Sequence, residues 1–408
     1  YCQSELTVFD PVSKSVQTVG DADYYTTAEY SPDGSYLLVK RLVGPWSHEV
    51  PWWRFASEVE VKSEEGAAIA TIASLPLANQ VPIHGVPTGP RRVSWRDTAP
   101  HSLYWVEALD GGNPVATAPH RDRLMRLEAP FDGEASEVYK AEHRIVGWRG
   151  GWGRDGTLAL TERERMKRWR RTWLLDLDKG TSRLWFELNE SDRYHSPGSP
   201  VLELLPNGRR VMRQEGNAVY FAGSGATPEG DRPFLDLRSL DGKSVERLFR
   251  SDAEHYESFV AFAGDADHLV IRSESDKEVP NYYLATLGAG LEASEGEATR
   301  AHTRTPITRF EDPTPQLRQI EKRMQGLLHS AFGGFRKGTG FDDEVTGEWD
   351  LSFNDLINGY RAENTDLNAS LSDVAGVTSM FAATKQFATD NDDPVPTATD
   401  KTTADPTS

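Results

Sequence analysis

The chain has 408 residues, 38% of them hydrophobic, and a net charge of −18, which excludes several classes of protein. No apolar run reaches the roughly 18 residues of a membrane-spanning helix, and the negative charge would repel nucleic-acid phosphates. We therefore expect a soluble protein, periplasmic or cytoplasmic, that binds neither nucleic acid nor membrane. The acidity lies mainly in residues 341–408, which carry 14 acidic and three basic side chains.

A tight turn followed by a short alternating strand recurs five times before residue 314. Each copy has an Asp or Asn in the turn, usually beside a Gly that tolerates the positive φ of tight hairpins. The turn residues are Asp33, Asp97, Asp155, Asn207 and Asp265, spaced 52 to 64 residues apart. Further strand pairs lie between these copies, for example residues 172–177 with 182–186.

Each period of this repeat supplies about four short strands. Four-stranded antiparallel sheets at such a period predict a β-propeller, in which each sheet is buried against its neighbours. We predict an all-β propeller of about five to six blades over residues 1–312, incomplete at its start. The alternative is a β-sandwich followed by a second all-β domain. It is disfavoured because sandwiches do not repeat their turn chemistry at this period.

The connections of each blade sort onto two faces of the predicted disc. With strands A to D counted from the centre, the A–B and C–D turns share one face and the B–C connections lie on the other. The B–C connections are predicted to be long, which favours contacts on their face. They are predicted at residues 41–56, 107–121, 163–171, 214–233 and 272–281.

The first B–C connection is rich in tryptophan. Trp46, Trp52 and Trp53 lie within residues 42–55. We name Trp52 and Trp53 as candidates for docking a peptide or a partner domain. Packing of the loop over its own blade edge is the simpler interpretation and the favoured one.

The third B–C connection is strongly basic, with six Lys or Arg among residues 163–171. Guanidinium groups match the geometry of carboxylates, so Arg168, Arg170 and Arg171 are candidate contacts for an acidic substrate or a partner domain. Ion pairing with Glu162 and Glu164 is an equally weighted alternative.

The sequence contains no recognisable pattern for catalysis. It has no Gly-x-Ser-x-Gly string for a serine hydrolase elbow and no His-Glu-x-x-His or clustered ligand spacing for a metal. The glycine-rich residues 333–338 lack the spacing of a phosphate-binding loop. We therefore assign no catalytic residue, no metal site and no cofactor.

Several strings resemble the propeller of prolyl oligopeptidase-type serine peptidases, specifically the glutamyl endopeptidase-like branch. They are residues 31–39 (SPDGSYLLV), 50–55 (VPWWRF), 93–96 (VSWR), 120–124 (HRDRL), 172–177 (TWLLDL) and 307–317 (ITRFEDPTPQL). The resemblance implies a propeller that sits over a C-terminal α/β-hydrolase domain and limits access to a Ser-Asp-His site. It also implies cleavage after Glu. The last string is similar to the crossing from propeller to peptidase domain.

The resemblance stops at about residue 323, where a hydrolase domain is expected. We predict a linker over residues 313–343, a short, partly helical segment over 344–385 and a disordered acidic tail over 386–408. The chain is interpreted as the gating and substrate-positioning propeller of a glutamyl endopeptidase-like peptidase, inactive alone. Its expected partner is a peptide substrate or a hydrolase domain. The alternative is a non-enzymatic propeller that acts as a protein-interaction scaffold.

Overall fold

The structure, a computed structural model, describes residues 3–313 and 315, apart from 149, 276, 295 and 296. Within these residues, 27 strands and a single 3₁₀ turn at Trp52–Arg54 are present. Most of the strands form five successive antiparallel sheets. The prediction of an all-β fold built from four-stranded propeller blades is confirmed.

A short hairpin precedes three regular blades. The hairpin consists of β1 (Thr7–Phe9) and β2 (Val16–Thr18). Blade 1 contains β3 (Tyr25–Tyr30), β4 (Tyr36–Leu42), β5 (Ser57–Ser63) and β6 (Ala68–Leu75). Blade 2 contains β7 (Arg91–Trp95), β8 (Ser102–Ala108), β9 (Asp122–Glu128) and β10 (Ser136–Ala141). Blade 3 contains β11 (Arg144–Gly147), β12 (Leu158–Glu164), β13 (Trp169–Asp176) and β14 (Thr181–Asn189).

The last two blades are less regular. Blade 4 is built on β15 (Ser199–Pro200), β19 (Ala218–Gly223), β22 (Phe234–Ser239) and β23 (Val245–Arg250). Its connections carry the short strands β16 (Leu202–Leu204), β17 (Arg210–Met212), β18 (Gln214–Glu215), β20 (Ala226–Thr227) and β21 (Gly230–Asp231). Blade 5 contains β24 (Tyr256–Phe262), β25 (His268–Glu274), β26 (Asn281–Ser294) and β27 (Glu297–Pro306).

The hydrophobic core lies between neighbouring blades. Leu38 and Val61 of blade 1 pack with Trp95 and Leu103 of blade 2, and equivalent clusters join blades 2 to 3, 3 to 4 and 4 to 5. Because alternate residues of a strand point to opposite sides, β8, β12 and β19 of the three middle blades each contribute to two of these clusters. This is the burial that the repeat predicts, since no sheet is covered without its neighbours.

Blade 4 departs from the prediction. The expectation of one long connection over residues 214–233 is wrong, because this stretch contains β19, whose Val219, Tyr220 and Phe221 are buried. The predicted second strand, β17, instead pairs with β16. Its Met212 also donates from its backbone N to the carbonyl O of Trp152 in blade 3, at 2.8 Å. The B–C connection therefore shortens to residues 224–233.

Polar contacts join blades on the face of the A–B and C–D turns, which we call the turn face. Arg209 of blade 4 donates to the Glu29 carboxylate and the Tyr30 carbonyl of blade 1. Arg96 of blade 2 donates to both Asp178 carboxylate oxygens of blade 3, at 3.1 and 2.9 Å. The A–B turns themselves use Gly where φ is positive, for example +79° at Gly34.

The segments predicted after the propeller cannot be compared with these elements. The linker over 313–343, the partly helical segment over 344–385 and the acidic tail over 386–408 lie outside the described residues, apart from 313 and 315. In the part of the chain that the structure describes, no helix is long and apolar enough to cross a membrane.

Candidate functional site: the loop face

The B–C and D–A connections lie on the face opposite the turn face, which we call the loop face. Antiparallel strand order places them there, because the B–C and D–A connections leave each sheet at the same end of its strands. The connections are residues 43–56, 76–90, 109–121, 142–143, 165–168, 190–198, 224–233, 251–255 and 275–280. The end of β27 lies at the same edge, so residues 307–313 leave blade 5 on the loop face.

Exposed apolar side chains are concentrated in five of these connections. Ile83, Val115 and Met166 are 79%, 84% and 89% exposed. Trp52, Trp53, Leu109 and Tyr194 are also exposed, and so are Ile307 and Phe310 beyond β27. Clusters of this kind mark contact surfaces more often than isolated exposed residues do.

The tryptophan-rich connection divides into a packed part and an exposed part. Trp46 lies edge-on to Tyr24, with ring centroids 4.7 Å apart, and is 5.8 Å from the buried Phe55. Trp52 and Trp53 occupy the 3₁₀ turn, contact each other edge-on at 5.9 Å and remain exposed. The loop therefore contacts its own blade through Trp46, which is still 42% exposed, while Trp53 is 64% exposed.

The basic segment 163–171 is a hairpin end rather than a long connection. β12 and β13 extend to Glu164 and from Trp169, so only residues 165–168 connect them. The prediction of a nine-residue connection is wrong because charged side chains at a sheet edge do not end strand pairing. Arg168 takes a left-handed φ of +54° and is exposed.

Two of the three candidate arginines of this hairpin are already paired. Arg170 lies 2.7 Å from the Glu190 carboxylate. Arg171 donates to Glu142 at 2.8 Å and to Glu187 at 3.2 Å. Burial works to lower the pKa of Arg171, but the hydrogen bonds to these carboxylates outweigh it and raise the pKa. Arg168 makes no ion pair with the described residues and is the candidate whose charge is available.

The loop face also contains residues that the sequence reading missed. Ile83 lies in the D–A connection 76–90, where the Arg165 guanidinium of blade 3 meets the His84 ring at 2.8 Å. This contact brings the basic hairpin next to the connection between blades 1 and 2. The signal in the sequence was the Pro- and Gly-rich composition of residues 76–90, which indicates a loop but not its neighbours.

The loop face combines apolar and cationic side chains. Within the described residues, no three His, Cys, Asp or Glu side chains are grouped so as to hold a metal ion. The face offers exposed aromatic and aliphatic side chains beside cationic groups.

No family model matches the sequence. Over 344 residues the chain is 34% identical to a protein of Oryza sativa subsp. japonica named probable glutamyl endopeptidase, chloroplastic. A protein of the same name from Arabidopsis thaliana is 34% identical over 340 residues. Each match covers 79% of this chain. The chain is a relative of the glutamyl endopeptidases.

The predicted resemblance to the glutamyl endopeptidase-like branch is thus confirmed. The chain spans about a third of the length of these glutamyl endopeptidases, 35% and 34% respectively. Among solved structures, the Pyrococcus horikoshii acylaminoacyl peptidase aligns over 77% of this chain and 43% of its own, with 13% identity and a TM-score of 0.37. An oligogalacturonate lyase in complex with manganese aligns over 74% of this chain and 73% of its own, with 16% identity and a TM-score of 0.37.

Proposed function

We propose that this chain is the propeller portion of a glutamyl endopeptidase-like peptidase, that it supplies no catalytic residue, and that its loop face contacts a peptide substrate or a hydrolase domain. The observation that carries the proposal is the loop face itself. Exposed apolar side chains from five connections share that face with the segment that leaves blade 5. The relation to glutamyl endopeptidases supports a role in proteolysis.

The candidate residues carry different weight in this proposal. Trp53 and Arg168 have exposed side chains without a strong internal partner, so they are the first choice for contacts. Trp52 adjoins Trp53 and belongs to the same surface. Arg170 and Arg171 are proposed as contacts only through the outer edges of their ion pairs, because their charges are already matched.

A peptide-binding assay with matched variants tests the proposal. A dye-labelled decapeptide with one central Glu is titrated with the purified chain, and binding is followed by fluorescence anisotropy. We expect Trp53→Ser and Ile83→Ser to weaken binding about tenfold, in line with the loss of a buried contact residue. Leu204→Ser is the control, since Leu204 is equally exposed but lies beside an A–B turn.

Two outcomes would contradict the proposal. An equal effect of Leu204→Ser would show that the loop face is not the contact surface. Hydrolysis of a quenched Glu-containing peptide by the chain alone would show that the chain holds catalytic groups. A correctly folded chain that binds no peptide would favour the alternative, a scaffold that recognises folded proteins.

A further inference from the structure

A cleft opens between blades 1 and 2 beneath the tryptophan-rich connection. It encloses a cavity of about 310 Å³. One wall is the blade 1 sheet, with Leu38 and Lys40 of β4, and the other is the start of β7 in blade 2. Trp53 and prolines of the connection 76–90 form the rim. This volume suits one or two amino-acid residues, not a folded chain.

The lining of the cleft carries one sign of charge. It includes Lys40, Arg54, Arg91 and Arg92, and it includes neither Asp nor Glu. The remaining walls are largely apolar. Cationic groups within a low-dielectric cleft concentrate the field on any anion that enters it.

The four cations differ in what they contact. Arg91 places Nη2 at 2.6 Å from Asp122, yet its Nε is buried without a hydrogen-bond partner. Arg54 donates to the carbonyl O of Val81 at 3.2 Å. Lys40 and Arg92 have no ion pair and no side-chain hydrogen bond with the described residues. Among the described residues, Arg91 is thus paired with a carboxylate, whereas Lys40, Arg54 and Arg92 are not.

The pleat of β4 places Lys40 in the cleft. Its neighbour Arg41 points to the opposite side of the sheet, where it pairs with Asp23 and Glu58. Lys40 shares its side with the buried Leu38 and faces blade 2. Burial lowers the pKa of Lys40 because no carboxylate compensates for the lost hydration of the ammonium. An anion bound beside it would restore that compensation.

Arg92, which lines the cleft, has an unusual backbone conformation. It adopts a left-handed φ of +57° although it is not glycine, and it is exposed at the mouth of the cleft. Non-glycine residues held in this region carry backbone strain, which is common at ligand sites. Arg92 lies where the register of β7 and β8 shifts, between Arg91 and Ser94.

We propose that this cleft binds the carboxylate of a peptide, with Lys40 as the inner contact, Arg92 as the outer contact and Trp53 covering the adjoining peptide backbone. The carboxylate is that of an acidic side chain or of a C-terminus. The identity of the ligand as a peptide rests on the proposed function, whereas the preference for a carboxylate rests on the charges of the cleft. Apolar walls beside the cations suit a peptide better than a free inorganic anion.

Calorimetric titration of the chain with three blocked tripeptides tests the proposal. Acetyl-Ala-Glu-Ala-amide offers a side-chain carboxylate, acetyl-Ala-Ala-Ala with a free C-terminus offers a terminal one, and acetyl-Ala-Gln-Ala-amide offers neither. We expect at least one carboxylate peptide to bind at least tenfold more tightly than the Gln peptide. The stronger of the two identifies the source of the carboxylate.

Variants then assign the binding to the cleft. Lys40→Met keeps the length of the side chain and removes its charge, and we expect it to weaken carboxylate binding at least tenfold. Lys40→Arg should retain most of the affinity. Lys140→Met is the matched control, because Lys140 of blade 2 lies outside the cleft and its charge is paired with Glu137 at 3.1 Å; it should leave the affinity unchanged.

The outcomes separate this proposal from the proposed function. If Lys40→Met binds the carboxylate peptides as well as the unaltered chain does, the cleft is not the site, even if the decapeptide still needs the loop face. If tripeptide binding depends on Lys40 but decapeptide binding does not depend on Trp53 and Ile83, the cleft proposal is supported and the loop-face proposal is contradicted. Equal binding of all three tripeptides would also overturn the cleft proposal.

Discussion

Two cationic regions lie on the loop face, and they differ in the share of their charges that is matched by carboxylates. In the blade 3 hairpin, Arg163 and Arg170 share the carboxylate of Glu190, and Arg171 meets Glu142 and Glu187. In the cleft between blades 1 and 2, Lys40 and Arg92 meet no carboxylate of the described residues. Two of the six basic side chains of the hairpin, Arg165 and Arg168, meet no carboxylate of the described residues, against three of the four in the cleft. The region with more basic residues in sequence thus has the smaller share of unmatched charge.

Strand register explains the difference. Arg171 of β13 lies directly opposite Glu187 of β14, and opposite charges at such cross-strand positions attract each other. The cross-strand neighbours of Lys40 are Thr27 and Val59, which offer no negative charge. A run of basic residues in the sequence therefore does not show which of them are paired. For Arg171 and Lys40, the residues opposite them in the neighbouring strands make the difference.

The largest effect is expected at the one paired cation of the cleft. Asp122 is fully buried, binds Arg91 at 2.6 Å and accepts a hydrogen bond from the Ile145 backbone N at 2.7 Å. Removing one partner of a buried ion pair costs about 3–5 kcal/mol, so Asp122→Asn should lower Tm by about 10 °C. Thermal unfolding followed by circular dichroism measures this.

The control for that measurement is Asp178→Asn. Asp178 also pairs with an arginine, Arg96; the Arg96 side chain is 10% exposed, but that of Asp178 is 61% exposed and can be hydrated in its place. We therefore expect a smaller loss than at Asp122, about 1 kcal/mol. If the two variants lose similar stability, burial does not determine how much an ion pair stabilises this protein. The energetic difference that we expect between matched and unmatched charges would then be contradicted.

In blade 5, the buried carboxylate Glu257 is paired with Arg304 and His302, and its contribution to stability depends on pH. Burial works to raise the pKa of Glu257, but a hydrogen bond from His302 and the charge of Arg304 outweigh it, so the pKa lies below the usual 4.5. The unfolded chain then binds the proton first as pH falls. The stability that Glu257 contributes is present above about pH 4.5 and is lost below it.

Glu257→Gln tests this dependence. At pH 7 it should cost about 2 kcal/mol, the scale of a hydrogen bond to a charged group. Between pH 6.5 and 3.5, Tm should fall less steeply for the variant than for the unaltered chain, because the other carboxylates are common to both. Parallel pH profiles would show that Glu257 has an ordinary pKa in the folded protein.

The sequence predicts the blades of this protein better than it predicts the contacts between them. The turns at Asp33 and Asp155 predict the blades correctly, because turn chemistry is local and recurs. The prediction for blade 4 is wrong because β17 pairs with β16 and contacts Trp152 of blade 3. Contacts between blades determine this pairing, and they cannot be seen in the local sequence. The segment 163–171 stood out because its charges are adjacent in sequence. Lys40 and Arg92 did not, because only the fold brings them together.

A smaller loss of stability is expected from the matched cation. Arg171→Met should lower stability by about 1 kcal/mol, since it leaves Glu142 and Glu187 without their partner at the protein surface. Chemical denaturation at low and high salt measures the change. The loss should shrink as salt screens the pair; a loss that does not depend on salt would assign the effect of Arg171 to packing.

The smallest effect has the opposite sign. Lys40→Met should raise stability by about 0.5–1 kcal/mol, because a partly buried ammonium without a counter-charge is exchanged for an apolar side chain of similar length. The same denaturation experiment measures it, with Arg171→Met as the control of opposite sign. A destabilised Lys40→Met would show that the fold already compensates this charge. A stabilised one would mean that the chain retains, at the expense of its own stability, a cation that is useful only when an anion occupies the cleft.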